Sequence, residues 1–361
     1  MKRRGYAVLI GTVMAGLLCL AAYHVIPVSR LEPGGLTLWY AEEDCPRPVM
    51  EALLADYRQE TDCRVEAVAY PDEDALGEAF EDERPDLLLC SHVRAIDMDR
   101  RASLCSLGEL PPLPERVEKF LPASSGCYWP VGSRTPLLLY DAGKLSEPPE
   151  SLEALLRFAK EAGGKPVLAA ESWAELLQAG MLSRGKELHG AAEANRAEKT
   201  CVELYNALAA AVFAGGVRET GDPALCVRQG MLTCAIVPST ALAGLGEDDP
   251  AVSTLPLPEK GKTVYSAELL GFAFLGDEES AEEAMDFLTW LAIGDRSASL
   301  ALSAGLVPLT APAEAPETPL QKLLCELSAG ESLRFLDADS DFCQNRSALE
   351  RRLRQGLDLL R

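Results

Sequence analysis

The most constraining feature of this chain is the order of its apolar segments. Leu36-Thr37-Leu38-Trp39-Tyr40 has the composition of a short buried strand. Asp44 is placed to cap a helix after it, Pro46 suits that helix's first turn, and Val49, Met50, Leu53, Leu54 and Tyr57 fall on one helical face. β character returns from Cys63 to Tyr70, a second helix is predicted over 72–82, and Asp86-Leu87-Leu88-Leu89-Cys90 is another short apolar run. Strand, helix, strand, helix, strand in that order predicts a parallel sheet with helices on its faces.

The alternation continues after a Pro-rich stretch from Leu110 to Pro122. Cys127–Val131 and Pro136–Asp141 are strand-like. Ser151 caps a helix carrying Leu152, Leu155, Leu156 and Ala159, and Gly163-Gly164 ends it. A strand is predicted over Lys165–Ala170 and a long helical region over 172–214, broken near Gly185 and Gly190. Leu232–Pro238 and parts of 250–276 are β-like. Ser280 and Glu283 have capping-box spacing before a helix with Leu288 and Leu291. Helices near 319–328 and 346–360 close the chain.

The N-terminus carries a different signal. Lys2, Arg3 and Arg4 precede an uncharged stretch from Gly5 to Tyr23, with apolar character to Val28. A basic start before an apolar run marks export. The run approaches the ~20 residues that span a bilayer, and the basic residues stay inside. Residues 1–28 are therefore expected to be a signal peptide or membrane anchor, with 29–35 as a linker. Cleavage after Ala21-Ala22, lipidation at Cys19 (behind a bulky Leu18) and retention all stay open.

The formal charge is −22. A nucleic-acid partner selects basic surfaces, so this balance argues against one. Eleven cysteines fit an exported chain, but no C-x-x-C occurs. Cys45 and Cys63 flank a predicted helix roughly 22 Å long, too far apart for a disulfide. No H-E-x-x-H, G-x-S-x-G or phosphate-loop motif is present, and adjacent Ser91 and His92 do not give triad geometry. No catalytic residue, metal or cofactor is expected.

Several segments together resemble the extracellular solute-binding proteins of ABC importers, the family that includes maltose- and other sugar-binding proteins. Arg84-Pro85-Asp86-Leu87 is similar to the family's Pro-Asp segment before the third strand. Pro136–Leu145 resembles its crossing segment, and Pro148–Leu155 the start of the helix that follows. Gly215-Gly216, Gly230–Ala235, Ser280–Leu291 and Gly305-Leu306-Val307-Pro308 resemble later elements in the family's order. The resemblance implies an α/β, two-lobed periplasmic-binding-protein-like clamp of type II. Each lobe would be a mostly parallel sheet flanked by helices, joined by hinge crossings near 130–141 and 260–275. Residues 36–130 and 265–310 would form lobe 1, and 131–264 with 311–361 lobe 2. It implies a monomer outside the cytoplasm, associated with the membrane, that captures a small solute by hinge closure for ABC permease subunits. Carbohydrate is the first-choice solute.

Ligands of open α/β sheets bind beyond the carboxyl ends of strands. That rule nominates Glu42, Glu43 and Asp44, then Ser91 and His92, then Tyr128 and Trp129, then Trp173 in the loop opened by Glu171, and Ser239. Tyr128, Trp129 and Trp173 are stacking candidates for a sugar face, and each also fits ordinary packing. Glu42, Glu43 and Asp44 suit hydroxyls or a cationic group, and equally a helix N-terminus. The acidic loop makes a polyamine or other cationic solute the alternative ligand. A membrane-anchored sensory protein with the same clamp is the alternative role.

Overall fold

The computed structural model describes residues 35–360, apart from 102, 125, 191, 247–248, 256–263 and 331. The expected signal or anchor and most of its linker lie outside the described residues. Among those described, no helix is long and apolar enough to cross a membrane.

Residues 36–361 form one compact unit built on two sheets. The strands are β1 (Leu36–Ala41), β2 (Val65–Tyr70), β3 (Leu87–Ser91), β4 (Tyr128–Arg134), β5 (Pro136–Tyr140), β6 (Leu168–Ala170), β7 (Cys234–Pro238), β8 (Ala251–Thr254), β9 (Tyr265–Phe274), β10 (Val307–Pro308) and β11 (Leu333–Phe335). The first sheet runs β10-β4-β9-β3-β1-β2, with β11 added on β9; the second runs β6-β7-β5-β8. The fold is the expected two-lobed type II clamp.

Its strand directions are more mixed than expected. β1 pairs in parallel with both β2 and β3, but β9 is antiparallel to β3 and β4. In the second sheet β6–β7 is parallel, while β5 is antiparallel to β7 and β8. The cause is the chain's path. β4 leaves the first sheet at Arg134 and the chain enters the second at Pro136, one residue apart. β9 makes the return journey, so it must run against the outgoing strands.

Successive side chains of a strand face opposite sides, and the core follows that rule. Leu36, Leu38, Tyr40, Leu87, Leu89, Leu270 and Phe272 share one cluster, whereas Trp39, Ala41, Leu88, Cys90 and Ala273 share another. Leu138, Ala170 and Ile236 face one side of the second sheet, and Leu137, Leu139, Ala169 and Val237 the other. The central strands are thus buried on both faces, which is why β3, β5 and β7 are apolar runs, whereas β2 and β8 at the sheet edges are only half-buried.

Two helix starts differ from expectation. The first helix is Arg47–Thr61, with Pro46 at its N-cap and no side-chain cap; Asp44 is drawn away into an ion pair described below. The helix Glu278–Ala292 starts on Asp277, whose carboxylate accepts from the Glu279 and Ser280 N–H groups. An acid one turn earlier wins over Ser280. Ser151 caps its helix as expected, accepting from Ala154 N–H. The ten described cysteines are free thiols.

Candidate functional site

A cleft of about 720 Å³ opens where the chain crosses between the sheets, within the size range of small-ligand sites. Its walls come from the loops after β1, β6 and β7, the β4–β5 crossing, the start of β9 and the C-terminal helix Asp341–Asp358. Seven glutamates (42, 43, 73, 171, 175, 268 and 350) and four arginines (134, 346, 351 and 354) line it. Phe342 is the one aromatic residue among the described lining residues.

The floor is an ion-pair chain. Arg134, at the exit of β4, bonds Asp44 Oδ1 at 2.7 Å through Nη1. Its Nε and Nη2 donate to Glu268 Oε2 at 2.9 and 2.7 Å. Arg346 donates to the same Glu268 oxygen at 3.1 Å and to Glu175 at 3.2 Å. Burial alone would raise the Glu268 carboxyl, but the two guanidiniums outweigh it and hold it well below the usual range. Burial raises the Asp44 carboxyl despite Arg134 beside it. Asp44 Oδ2, Glu268 Oε1, Ser133 Oγ and Thr240 Oγ1 are buried with no hydrogen-bond partner among the described residues. Native proteins satisfy nearly all such atoms, and Glu268 and Thr240 both line the cleft.

The rim is different. Glu43 accepts from Glu73 N–H at 2.8 Å, and neither Glu43 nor Glu171 has an ion-pair partner among the described residues. Both are exposed within the cleft. Crowding by protein, then the charges of Glu175 and Glu43, push Glu171 up to about 7. The protein crowded around it likewise raises Glu43. Glu350 and Arg354 brace the Glu171 loop. Glu350 accepts from Ser172 Oγ and Ala174 N–H, and Arg354 donates to Glu171 O at 2.6 Å.

Of the nominated residues, the structure brings Glu42 and Glu43 to the cleft lining. Glu42 is held by Arg47 at 2.6 Å. Asp44 lies beneath the lining as a counter-ion for Arg134. Ser91 caps the helix His92–Arg100, accepting from Arg94 N–H. His92 is buried, its Nε2 2.7 Å from Leu336 O and its Nδ1 accepting from Leu269 N–H; both ring nitrogens are used by backbone. Ser239 is buried with Thr135 N–H on its hydroxyl. The stacking expectation is corrected. Tyr128 is core, its hydroxyl donating to Cys90 O and Leu269 O. Trp129 packs in the first sheet's core, with Nε1 on Pro111 O. Trp173 is fully buried against the second sheet, with Nε1 on Glu219. The apolar bodies of these rings are worth more in the core than at a polar crossing.

Arg134, Glu268 and Arg346 escaped the strand-end rule because two lie within strands and one on a helix. A charge inside an apolar run, as in Ala267-Glu268-Leu269-Leu270, is the signal that marks such residues.

The sequence matches the family described as bacterial extracellular solute-binding protein over residues 52–322. No curated protein matches it. Among solved structures, maltose-bound MalE3 of T. maritima has a TM-score of 0.72 at 16% identity, covering 91% of this chain and 95% of that one. The cyclic alpha-maltosyl-1,6-maltose binding protein of Arthrobacter globiformis gives 0.69 at 15%, covering 91% and 95%. The spermidine/putrescine transporter substrate-binding protein of Streptococcus pneumoniae gives 0.68 at 13%, covering 91% and 99%. The chain belongs to the bacterial extracellular solute-binding protein family, whose members bind small solutes outside the cytoplasm for ABC transporters.

Proposed function

We propose that this member of the solute-binding family captures a small cationic solute in the cleft between its two sheets, closes over it at the β4–β5 and β9 crossings, and delivers it to an ABC permease. The observation that carries the reading is the excess of carboxylates over guanidiniums among the described lining residues, with Glu43 and Glu171 making no ion pair there. Such groups are costly to crowd together without a positive partner. In this reading 36–130 with 265–310 moves as one lobe and 131–264 with 311–361 as the other. The protein is a non-catalytic monomer outside the cytoplasm, exported or held at the membrane by its N-terminal segment; a sensory role would use the same clamp with a different partner.

Carbohydrate is the second reading. Two of the structural neighbours are maltose and maltosyl-maltose binders by description, and Thr240 with Glu268 Oε1 suits hydroxyls. The lining's single aromatic ring favours the cation. A thermal-shift screen of sugars, polyamines and amino acids separates them, because a ligand of the folded state raises the midpoint. A rise with polyamines supports the reading. A rise with sugars alone replaces the cation by a carbohydrate, and no rise with any class removes solute capture.

A further inference from the structure

Glu43 and Glu171 stand on opposite sides of the crossing. Glu43 follows β1 of the first sheet and Glu171 follows β6 of the second. Both line the same cleft, and the charge of Glu43 reaches Glu171. The other charges facing them do not cancel this. Asp72, Glu73 and Arg134 surround Glu43, and Glu175, Asp222 and Arg134 surround Glu171; Arg354, on the Glu171 carbonyl, is paired with Glu219 and Glu350. Arg134 is committed to Asp44 and Glu268. Bringing the two sheets together over an empty cleft therefore drives like charges into a shrinking, poorly hydrated space, where their repulsion grows. A second observation points to a ligand at this cleft: Thr240 Oγ1 and Glu268 Oε1, on side chains more than nine-tenths buried, have no partner among the described residues.

We propose that Glu43 and Glu171 form an electrostatic gate, holding the unliganded clamp open until a cationic solute bridges them. The gate rests on the reading of this cleft as a closing solute site. It makes closure a test of charge: a neutral solute of the right shape fills the cleft but leaves the two carboxylates facing each other. Binding energy then shifts the population toward the closed form most strongly for a cation, because only a cation removes the repulsion that closure builds between the two carboxylates.

The gate has a readout that needs no ligand. Hydrogen–deuterium exchange of the full chain reports closure through segments 41–46 and 171–176. In E43Q/E171Q these segments exchange more slowly than in the wild type without any solute, because removing the repulsion lets the clamp close. Spermidine slows them in the wild type, and each single Gln variant weakens spermidine about tenfold or more, the loss of one charge-assisted contact. Unchanged exchange in the unliganded double variant overturns the gate. Maltose slowing exchange equally in wild type and double variant overturns the gate but leaves solute capture standing. Gln keeps the shape and hydrogen bonding of Glu, and an E78Q control away from the cleft separates charge loss at the gate from charge loss in general.

Discussion

The floor and the rim of the cleft use the same residue types for different ends. On the floor, Asp44, Glu175 and Glu268 are answered by Arg134 and Arg346 at 2.7 to 3.2 Å. At the rim, Glu43 and Glu171 face the same space with no ion-pair partner among the described residues. A carboxylate's role here is set by whether its counter-charge is already in the protein. Paired acids tie the crossing strands together; in the proposed reading the unpaired acids are left for a solute.

The comparison breaks most visibly through the residues that resembled the rim but belong to the core. Trp173→Ala is expected to cost about 4 kcal/mol, as large-to-small changes of buried aromatics do, and to leave solute affinity per folded molecule unchanged. Equilibrium denaturation with a titration of the folded fraction checks both. Glu268→Gln comes next. It leaves Arg134 and Arg346 short of their shared counter-ion, and breaking a buried pair from one side costs about 3 kcal/mol. A urea midpoint equal to that of the wild type would show that the floor chain does not support the crossing.

The rim responds to pH in the opposite sense from a paired acid. The folded pKa of Glu171 lies at about 7, above its ordinary value of 4.5, so the folded state binds its proton more tightly than the unfolded chain. Its charge costs stability above the folded pKa, and that cost is relieved as pH falls from 8 through 7 toward 4.5. Glu171→Gln should raise stability at pH 8 and flatten that part of the profile, measured as the denaturation midpoint against pH. Equal pH profiles for both proteins would place Glu171 outside the crowded rim. Ser91→Ala is expected to cost about 1 kcal/mol through its lost N-cap, with no change in affinity, since its hydroxyl serves the helix His92–Arg100 rather than the cleft. The smallest effect is expected at Arg351, an exposed cleft residue. Its change to Gln should alter stability by less than about 0.5 kcal/mol.

Much of the fold was legible because it rests on local patterns. The apolar runs at Leu36–Tyr40, Leu87–Cys90 and Leu137–Leu139 became strands, and the stripe from Val49 to Tyr57 became the first helix. Strand direction was not legible, because an apolar run looks the same whichever way the chain enters the sheet. The site was legible only in outline. The strand-end rule pointed to the loops holding Glu43 and Glu171, and it also pointed to Trp173, one residue past the loop's Ser172 cap and turned inward. Arg346, more than 200 residues from Arg134 in sequence, meets the floor through the packing of the C-terminal helix on the helix Trp173–Leu182. No local pattern carries that meeting.

The central claim is that the rim carboxylates take a positive charge from outside the protein. Calorimetric titration of the full chain with spermidine and with maltose, at low salt and in 0.5 M salt, tests it most directly. The account predicts spermidine binding that weakens roughly tenfold as salt screens the rim, with maltose weaker throughout. Salt-independent binding of maltose, with no heat from spermidine, would contradict it.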